Sequence, residues 1–291
     1  MLNKYKFIFF GSPLFARIVL EKLVKNNFLP LALVCNQDKP FGRKKIITPP
    51  ETKKFILENN LENEIKIFQP EILDNDFILK LKNLNADFAI VCAYSKILSN
   101  EILNIFSKGI LGVHPSLLPK YRGASPIQST ILAGEEKSGI TIYLLDDKMD
   151  HGPILAQKET EIKNLNFEKV YLKLAQLGGD LISEIIPLYF NNKIIPQKQD
   201  DNQATYTKKF KLEDGYVDLG DIKKAQENEA KLAFEIYYKI LALNPEPGVW
   251  TIKNNKRVKL LEAEIIDNKL IIKKIKIEGE KEKNTPKDFF Q

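Results

Sequence analysis

Two histidines are the only imidazoles in this 291-residue chain, and one of them stands where proton-transfer chemistry could take place. His114 ends an apolar run and is followed by a loop, residues 115–123, that is too apolar for a solvated turn and too rich in proline and glycine for a helix. Such a loop is typical of a pocket wall. Asp150, in a second loop, could orient the imidazole and increase its basicity. The pair therefore predicts proton transfer during acyl transfer.

The acidic residues of the second loop allow two other interpretations. The carboxylates of Asp146, Asp147 and Asp150 could bind a divalent cation, or they could simply be solvated in a turn. A divalent site usually takes ligands from several elements, which disfavours a metal here. Cys35 and Cys92 have neither a second cysteine nor a histidine at metal-ligand spacing. We therefore expect buried, reduced thiols and no metal.

Up to about residue 160, the segments that must position these residues alternate between two patterns. Short β-branched or aromatic runs, typical of buried strands, alternate with amphipathic stretches of helical spacing. This order predicts an α/β fold, with an open, mostly parallel Rossmann-like sheet. The predicted strands are 5–10, 31–35, 65–68, 87–92, 109–114 and 139–145. The predicted helices are 14–25, 51–59, 76–83, 100–106 and 125–133.

Ligands of open parallel sheets collect beyond the carboxyl ends of the strands. His114 follows a predicted strand, and this position favours a site over a purely structural histidine. The first strand is followed by Gly11, Ser12 and Pro13, a single glycine where a dinucleotide fingerprint needs three. A nicotinamide or flavin cofactor is therefore disfavoured. We expect Ser12 to cap the next helix and Pro13 to lie in its first turn.

The length of the chain favours two domains. A helix predicted over 167–188 closes the first domain, residues 1–188, and the polar segment 189–204 is predicted to be a linker. The second domain, residues 205–291, is predicted to be a smaller β-barrel-like domain. Its predicted elements are a helix over 225–243 and strands over 249–252, 257–265 and 269–277.

The composition is that of a soluble globular protein, with 44% hydrophobic and 28% charged residues. The net charge of +6 permits a polyanionic partner without requiring one. No apolar run reaches the ~18 residues of a membrane span, and the N-terminus develops no signal-peptide core. We expect a cytoplasmic protein with no membrane partner.

Three long motifs resemble the signature of folate-dependent formyltransferases. They are HPSLLPKYRGASPIQ (114–128), GITI (139–142) and MDHGPIL (149–155). The resemblance implies that His114 and Asp150 are the catalytic pair and that 10-formyltetrahydrofolate is a co-substrate. It also implies that the second domain, residues 205–291, is an OB-like β-barrel that binds tRNA. It also implies two folate-binding segments, formed by Tyr94, Ser95, Lys96, Ile97 and Leu98 and by Ser116, Leu117, Leu118 and Pro119.

A basic stretch, residues 38–45, resembles the loop that methionyl-tRNA formyltransferases insert after the second strand. Sugar and glycinamide ribonucleotide formyltransferases lack that loop. The resemblance implies a charged initiator tRNA as partner, with tRNA contacts from Arg43, Lys44 and Lys45, and the α-amine of its methionine as acceptor. We expect a monomer. A sugar-nucleotide N-formyltransferase and a non-catalytic tRNA-binding protein remain alternatives. Both are disfavoured, because the first would have no use for the basic loop and the second would have no reason to keep His114 with Asp150.

One position departs from the family pattern. The family usually has asparagine two residues before the catalytic histidine, where this chain has Gly112. That asparagine donates to the developing oxyanion, and losing one such donor typically costs about 10²- to 10³-fold in rate. Either a water, a backbone N–H or His114 substitutes for it, or the enzyme is slow, or the protein is no longer an enzyme. We expect Gly112→Asn to raise kcat or to leave it nearly unchanged.

Overall fold

The computed structural model describes residues 5–42, 44–227 and 229–290, which fall into two compact units. The first unit comprises Met1–Arg122, Gly139–Glu159 and Tyr171–Thr205. The second comprises Gly123–Ser138, Thr160–Val170 and Tyr206–Gln291. It thus takes in two segments from the part of the chain that the sequence assigns to the first domain. The domain limits at 188 and 204 stay a prediction.

Strands and helices alternate through most of the described residues. In chain order the strands are β1 (Phe7–Phe10), β2 (Ala32–Val34), β3 (Lys39–Phe41), β4 (Ile46–Thr48), β5 (Lys66–Phe68), β6 (Phe88–Val91), β7 (Ile110–His114), β8 (Arg122–Gly123), β9 (Lys137–Leu144), β10 (Ile154–Glu161), β11 (Tyr206–Thr207), β12 (Trp250–Lys253), β13 (Lys256–Ile266), β14 (Lys269–Ile277) and β15 (Lys283–Asn284). The α-helices are α1 (Leu14–Lys25), α2 (Glu51–Glu58), α3 (Asn75–Lys82), α4 (Asn100–Leu103), α5 (Pro126–Leu132), α6 (Phe167–Phe190), α7 (Leu219–Glu227) and α8 (Ala230–Leu243). Short 3-10 helices cover Asp201–Gln203 and Leu212–Gly215. No helix in this part of the chain is both long enough and apolar enough to span a membrane.

The first unit is built on a seven-stranded sheet in the order β10-β9-β7-β6-β1-β2-β5. β1 is parallel to β2 and β6, β2 is parallel to β5, and β6 is parallel to β7. β7 and β9 pair antiparallel. Every residue of β1 is buried, as expected for a strand whose two faces are both covered. The predicted mostly parallel α/β class is confirmed.

β2, the next strand of this sheet along the chain, pairs with one edge of β1, and β6 pairs with the other edge. Such a reversal of strand order opens a crevice beyond the carboxyl ends of the strands, where ligands of this fold class bind. His114, the last residue of β7, lies one strand away from this point.

The second unit contains a four-stranded antiparallel sheet in the order β12-β13-β14-β15. The turns between its first three strands are Asn254-Asn255 and Asp267-Asn268, and all four residues have positive φ. Asparagine and aspartate tolerate that conformation, which tight hairpins require. The apolar side of the sheet is buried, with Leu260, Ile272 and Ile275 in the core.

Several local predictions were wrong or incomplete. The single helix predicted over 225–243 is two helices, α7 and α8, because Glu229 takes a non-helical conformation at the start of α8. Ser12 does not cap α1: Pro13 is the N-cap residue, and the Ser12 hydroxyl accepts a hydrogen bond from the Asn36 backbone. β10 was missed because its exposed half carries consecutive charged residues.

Candidate active site at the end of β7

Side chains beyond three parallel strands are tied to one another at the carboxyl edge of the sheet. Asn36, which follows β2, donates its backbone N–H to the hydroxyl of Ser12, which follows β1, over 2.9 Å. The hydroxyl of Ser95, which follows β6, donates to the Asn36 side-chain oxygen over 2.9 Å. The loops of β1, β2 and β6 therefore converge on one edge, and β7 presents His114 at the same edge.

His114 is 6% exposed, and its two ring nitrogens face different groups. Nε2 lies 3.0 Å from the backbone carbonyl oxygen of Tyr121. A carbonyl only accepts, so Nε2 must carry the hydrogen in this contact. Nδ1 lies 3.6 Å from Oδ1 of Asp150, beyond the usual range of a hydrogen bond. The predicted pair is brought together, but the Tyr121 carbonyl, and not the carboxylate, sets the tautomer of the neutral imidazole.

This arrangement leaves Nδ1 as the nitrogen of the neutral ring that can take up a proton. A proton taken up there would face the Asp150 carboxylate. The resulting imidazolium would be flanked by a carbonyl oxygen and a carboxylate oxygen, both of which attract its hydrogens. The site is therefore suited to accept and return one proton.

The loop that carries Asp150 is held by a buried polar network. The side-chain amide of Gln199 donates to the backbone oxygens of Asp150 (2.9 Å) and Gly152 (2.8 Å). Its carbonyl oxygen accepts from the guanidinium of Arg122 over 2.8 Å, and Arg122 is only 1% exposed. Arg122 lies inside the quoted 114–128 motif, whereas Gln199 lies in the segment predicted to be a linker and had no sequence signal. That segment thus supports the site and is not a free tether.

Tyr143 is a site residue that the sequence did not single out. Its hydroxyl donates to Oδ1 of Asp150 over 2.7 Å. Burial, followed by the neighbouring Asp150 carboxylate, raises the pKa of the Tyr143 phenol well above its ordinary value. The hydroxyl therefore keeps its proton and acts as the donor.

The Tyr143 ring also explains the glycine at position 112. Gly112 pairs with Tyr143 across β7 and β9, and a Cβ at Gly112 would lie only 2.3 Å from Cε1 of the ring. No such approach is tolerated without a shift of the aromatic ring. This contact argues against the expectation that Gly112→Asn raises or preserves kcat, because the ring fills the space, and the effect on kcat stays a prediction.

The second histidine belongs to a separate cluster. His151 Nδ1 lies 2.5 Å from Oδ2 of Asp146, and its Nε2 lies 3.4 Å from Oδ2 of Asp201. Asp147 is exposed. Within residues 5–42, 44–227 and 229–290, no group of three or more His, Cys, Asp or Glu side chains could hold a metal ion.

The two cysteines are buried free thiols, as expected. Burial raises the pKa of the Cys35 thiol to about 12 and raises the pKa of the Cys92 thiol further. Both remain protonated near neutral pH, and a protonated thiol is a poor nucleophile. The arrangement therefore offers proton transfer at His114 without a cysteine nucleophile.

The segment after β6, residues 94–98, presents one buried polar atom without a partner. The Tyr94 hydroxyl oxygen is buried, and it has no hydrogen-bond partner among the described residues. The other polar side chains are used: Ser95 bonds Asn36, and Lys96 donates to the backbone oxygens of Pro70 and Glu71. The two apolar residues of the segment differ in exposure. Ile97 is 88% exposed, whereas Leu98 is partly buried and packs against the core.

The segment after β7, residues 116–119, is fastened to β9. Ser116 is fully buried, and its hydroxyl donates to the Lys120 carbonyl oxygen over 2.7 Å. The Leu118 backbone N–H donates to the hydroxyl of Thr141 over 3.0 Å, and Thr141 in turn donates to the Ser116 carbonyl oxygen. Leu117 and Pro119 are partly buried. This wall of the site is therefore rigid.

The basic stretch after β2 is a hairpin and not an irregular loop. β3 and β4 pair antiparallel, with Lys44 and Lys45 exposed in the connection. Arg43 lies outside the described residues. The hairpin also exposes apolar side chains that the sequence did not single out, namely Phe41 (75%), Ile46 (63%) and Ile47 (63%).

Comparison with known families identifies the fold and chemistry together. Residues 4–186 match the model of the family described as formyl transferase, and residues 230–280 match the model described as formyl transferase, C-terminal domain. The methionyl-tRNA formyltransferase of Campylobacter lari is 43% identical over 262 residues, which are 90% of this chain and 80% of that protein. The chain belongs to the methionyl-tRNA formyltransferase family.

A more distant member, the methionyl-tRNA formyltransferase of Fusobacterium nucleatum, is 36% identical over 90% of the chain and 80% of its own length. Among solved structures, the methionyl-tRNA formyltransferase from Clostridium thermocellum is 20% identical, with a TM-score of 0.56 over 94% of this chain and 98% of that one. An N-formyltransferase from Helicobacter canadensis, in complex with folinic acid and dTDP-3-aminofucose, is also 20% identical, with a TM-score of 0.66 over 90% and 88%. These two structures share the fold of this family member.

Proposed function

We propose that this protein transfers the formyl group of 10-formyltetrahydrofolate to the α-amine of methionine on charged initiator tRNA. The observation that carries the proposal is the 43% identity to a methionyl-tRNA formyltransferase over 90% of the chain. Sequence likeness therefore favours the tRNA-linked acceptor over an amino sugar.

The chemistry follows from the two faces of the His114 ring. The neutral α-amine attacks the formyl carbon, a C–N bond forms, and a tetrahedral oxyanion results. Nδ1 of His114 takes the proton that the amine loses, beside the Asp150 carboxylate. The same proton then passes to N10 of the donor, directly or through water, as the bond between N10 and the formyl carbon breaks. General acid–base help of this kind contributes about 10²- to 10⁴-fold in rate.

No covalent enzyme intermediate is required. The thiols of Cys35 and Cys92 are buried and protonated, so neither is available as a nucleophile. The remaining rate enhancement comes from holding amine and formyl carbon in contact, which a pocket at a sheet edge provides by positioning.

The donor is proposed to bind between the segments 94–98 and 116–119. Both segments follow neighbouring parallel strands, β6 and β7. The Tyr94 hydroxyl fits this role, because it is buried and has no hydrogen-bond partner among the described residues. A polar heterocycle of the donor could supply that partner. Burial raises the pKa of Tyr94 to about 12, which keeps the hydroxyl available as a donor.

The acceptor stem is proposed to meet the β3–β4 hairpin. Lys44 and Lys45 are exposed cations that can neutralise phosphates. Phe41 projects a largely exposed ring, and aromatic rings stack on unpaired bases. Arg43, in the same connection, is proposed to add a third cation. The second unit is proposed to contact the tRNA backbone, with the protein acting as a monomer in the cytoplasm.

A single assay with two acceptors tests this proposal. Purified protein receives 10-formyltetrahydrofolate together with either methionyl-initiator tRNA or a dTDP-linked amino sugar, and N-formyl product is quantified. We expect product only with the charged tRNA. Formylation of the amino sugar alone would establish the sugar N-formyltransferase alternative. Tight tRNA binding without product in either reaction would establish a non-catalytic tRNA-binding protein.

A further inference from the structure

We infer that Tyr143 is a positioning residue for formyl transfer, holding the Asp150 carboxylate against His114 from a place that Gly112 keeps open. The inference rests on the proposed function, because it concerns the same proton-transfer pair. It assigns a role to a residue of β9 that neither the motifs nor the comparisons single out.

The position of the ring is determined by strand register. β7 and β9 run antiparallel, with Gly112 opposite Tyr143 and His114 opposite Thr141. The Tyr143 ring lies across Gly112 and meets the His114 ring edge to face, with ring centroids 6.5 Å apart and an interplanar angle of 89°. Tyr143 is only 6% exposed. From this position the Tyr143 hydroxyl reaches the Asp150 carboxylate.

The hydroxyl shares one carboxylate oxygen with the histidine. Oδ1 of Asp150 accepts the Tyr143 hydroxyl over 2.7 Å and lies 3.6 Å from Nδ1 of His114. Since the contact to His114 is longer than a hydrogen bond, it restrains the carboxylate weakly in the neutral state. The short bond from Tyr143 supplies the restraint. The carboxylate is therefore already in place when Nδ1 takes up its proton, and no side chain has to reorganise during the reaction.

Gly112 is required by this arrangement for space and not for backbone conformation. Its φ lies outside the left-handed region, so any residue could adopt the backbone. A Cβ would however lie 2.3 Å from Cε1 and 2.6 Å from Cζ of Tyr143, and 2.8 Å from Cδ1 of Leu145. Gly112 and Tyr143 therefore form a matched pair across the two strands, in which one residue is small because the other crosses above it.

The test removes the hydroxyl and keeps the ring. Tyr143→Phe should lower single-turnover formylation by about 10- to 100-fold, the range expected when a hydrogen bond to a charged group is lost. The KM values for the folate donor and for charged tRNA should stay within about twofold, because Tyr143 is buried and its hydroxyl is bonded to Asp150. A normal rate in Tyr143→Phe would overturn the inference.

A matched control separates positioning from general loss of a buried hydroxyl. Tyr189→Phe removes a hydroxyl that donates to the Lys108 carbonyl oxygen over 3.1 Å, near the opposite end of β7 from His114. We expect its rate to equal that of the wild-type protein. An equal loss of rate in Tyr189→Phe and Tyr143→Phe would show that the effect is structural and would overturn the inference.

A second background tests whether Tyr143 acts through Asp150. If it does, adding Tyr143→Phe to Asp150→Asn should change the rate by less than about twofold, because the charge that Tyr143 positions is already absent. An undiminished 10- to 100-fold loss in that background would assign Tyr143 another role. The proposed function is checked separately by the wild-type rate and by His114→Ala: if the wild-type protein formylates charged tRNA and His114→Ala does not, only the role of Tyr143 is at stake.

Discussion

Two regions of the first unit, both placed after parallel strands, use their polar and apolar residues in opposite ways. After β7, the chain buries polar groups and pairs them: Ser116 is fully buried, and its hydroxyl bonds the Lys120 carbonyl oxygen. After β2, the β3–β4 hairpin exposes an aromatic ring, Phe41, together with Lys44 and Lys45. The buried Ser116 hydroxyl of the first region is already paired within the protein. The second leaves apolar and cationic side chains exposed.

The difference fits the roles proposed for the two regions. A catalytic group must be held in a productive geometry, and buried hydrogen bonds in a low-dielectric setting hold it well. A surface for a polymeric partner gains its energy on binding, from phosphate contacts and from burial of apolar area at about 25 cal/mol per Å². Three predictions, from the largest expected effect to the smallest, test this contrast.

The largest effect is expected in the buried region. His114→Ala and Asp150→Ala should each lower kcat by about 10²- to 10⁴-fold, because proton transfer loses its acceptor or the charge beside it. Both variants should remain folded, since neither substitution removes a backbone pairing of β7. Turnover and the thermal unfolding midpoint are measured together. Near-normal single-turnover rates in either variant would remove the pair from the mechanism.

The second prediction concerns rigidity of the same region. Gly112→Asn should lower kcat and also destabilise the protein by about 1 to 3 kcal/mol, because the new side chain must displace the Tyr143 ring. Adding Tyr143→Leu should recover most of the stability, measured by chemical denaturation, without restoring kcat. A rise in kcat at constant stability in Gly112→Asn would contradict the steric account of this position.

The smallest effect is expected in the exposed region. Lys44→Gln with Lys45→Gln should leave kcat and stability unchanged, while the slope of log Kd for tRNA against log salt falls by about 1 to 2, since each lost phosphate contact removes about 0.7 to 0.9. Lys80→Gln with Lys82→Gln, two exposed lysines of α3, removes the same charge elsewhere. An equal change of slope in both double variants would show that the hairpin acts only through net charge. Adding Arg43→Gln extends the series to the third cation.

Much of the α/β part could be predicted from the chain, because strand and helix patterns are local. The predicted helix over 14–25 matches α1, and the strands over 87–92 and 109–114 contain β6 and β7. Elements with weak or mixed patterns were missed. β10 places charged residues along an exposed half, and the β3–β4 hairpin exposes its apolar side chains, so neither has the burial pattern that marks a strand.

The candidate site divides in the same way. His114 and Asp150 could be named because their loops have distinctive residues and a family resemblance, and their roles stay a prediction. Tyr143 and Gln199 could not be named, since a tyrosine in a strand and a glutamine in a polar segment are common. Their importance lies in contacts with Asp150 across 7 and 49 residues of chain.

What the sequence alone determined is the order of the main buried strands and helices of the α/β part, the chemical types placed at the strand ends and the membership of a family of formyl-transferring enzymes. The tertiary structure decided which nitrogen of His114 faces Asp150, why residue 112 must be small, and how the segment near residue 199 supports the site. The physical reason is that periodicity and turn residues act between neighbours in the chain. Hydrogen bonds and steric exclusion between distant strands depend on register and rotamer, which exist only once the chain has folded.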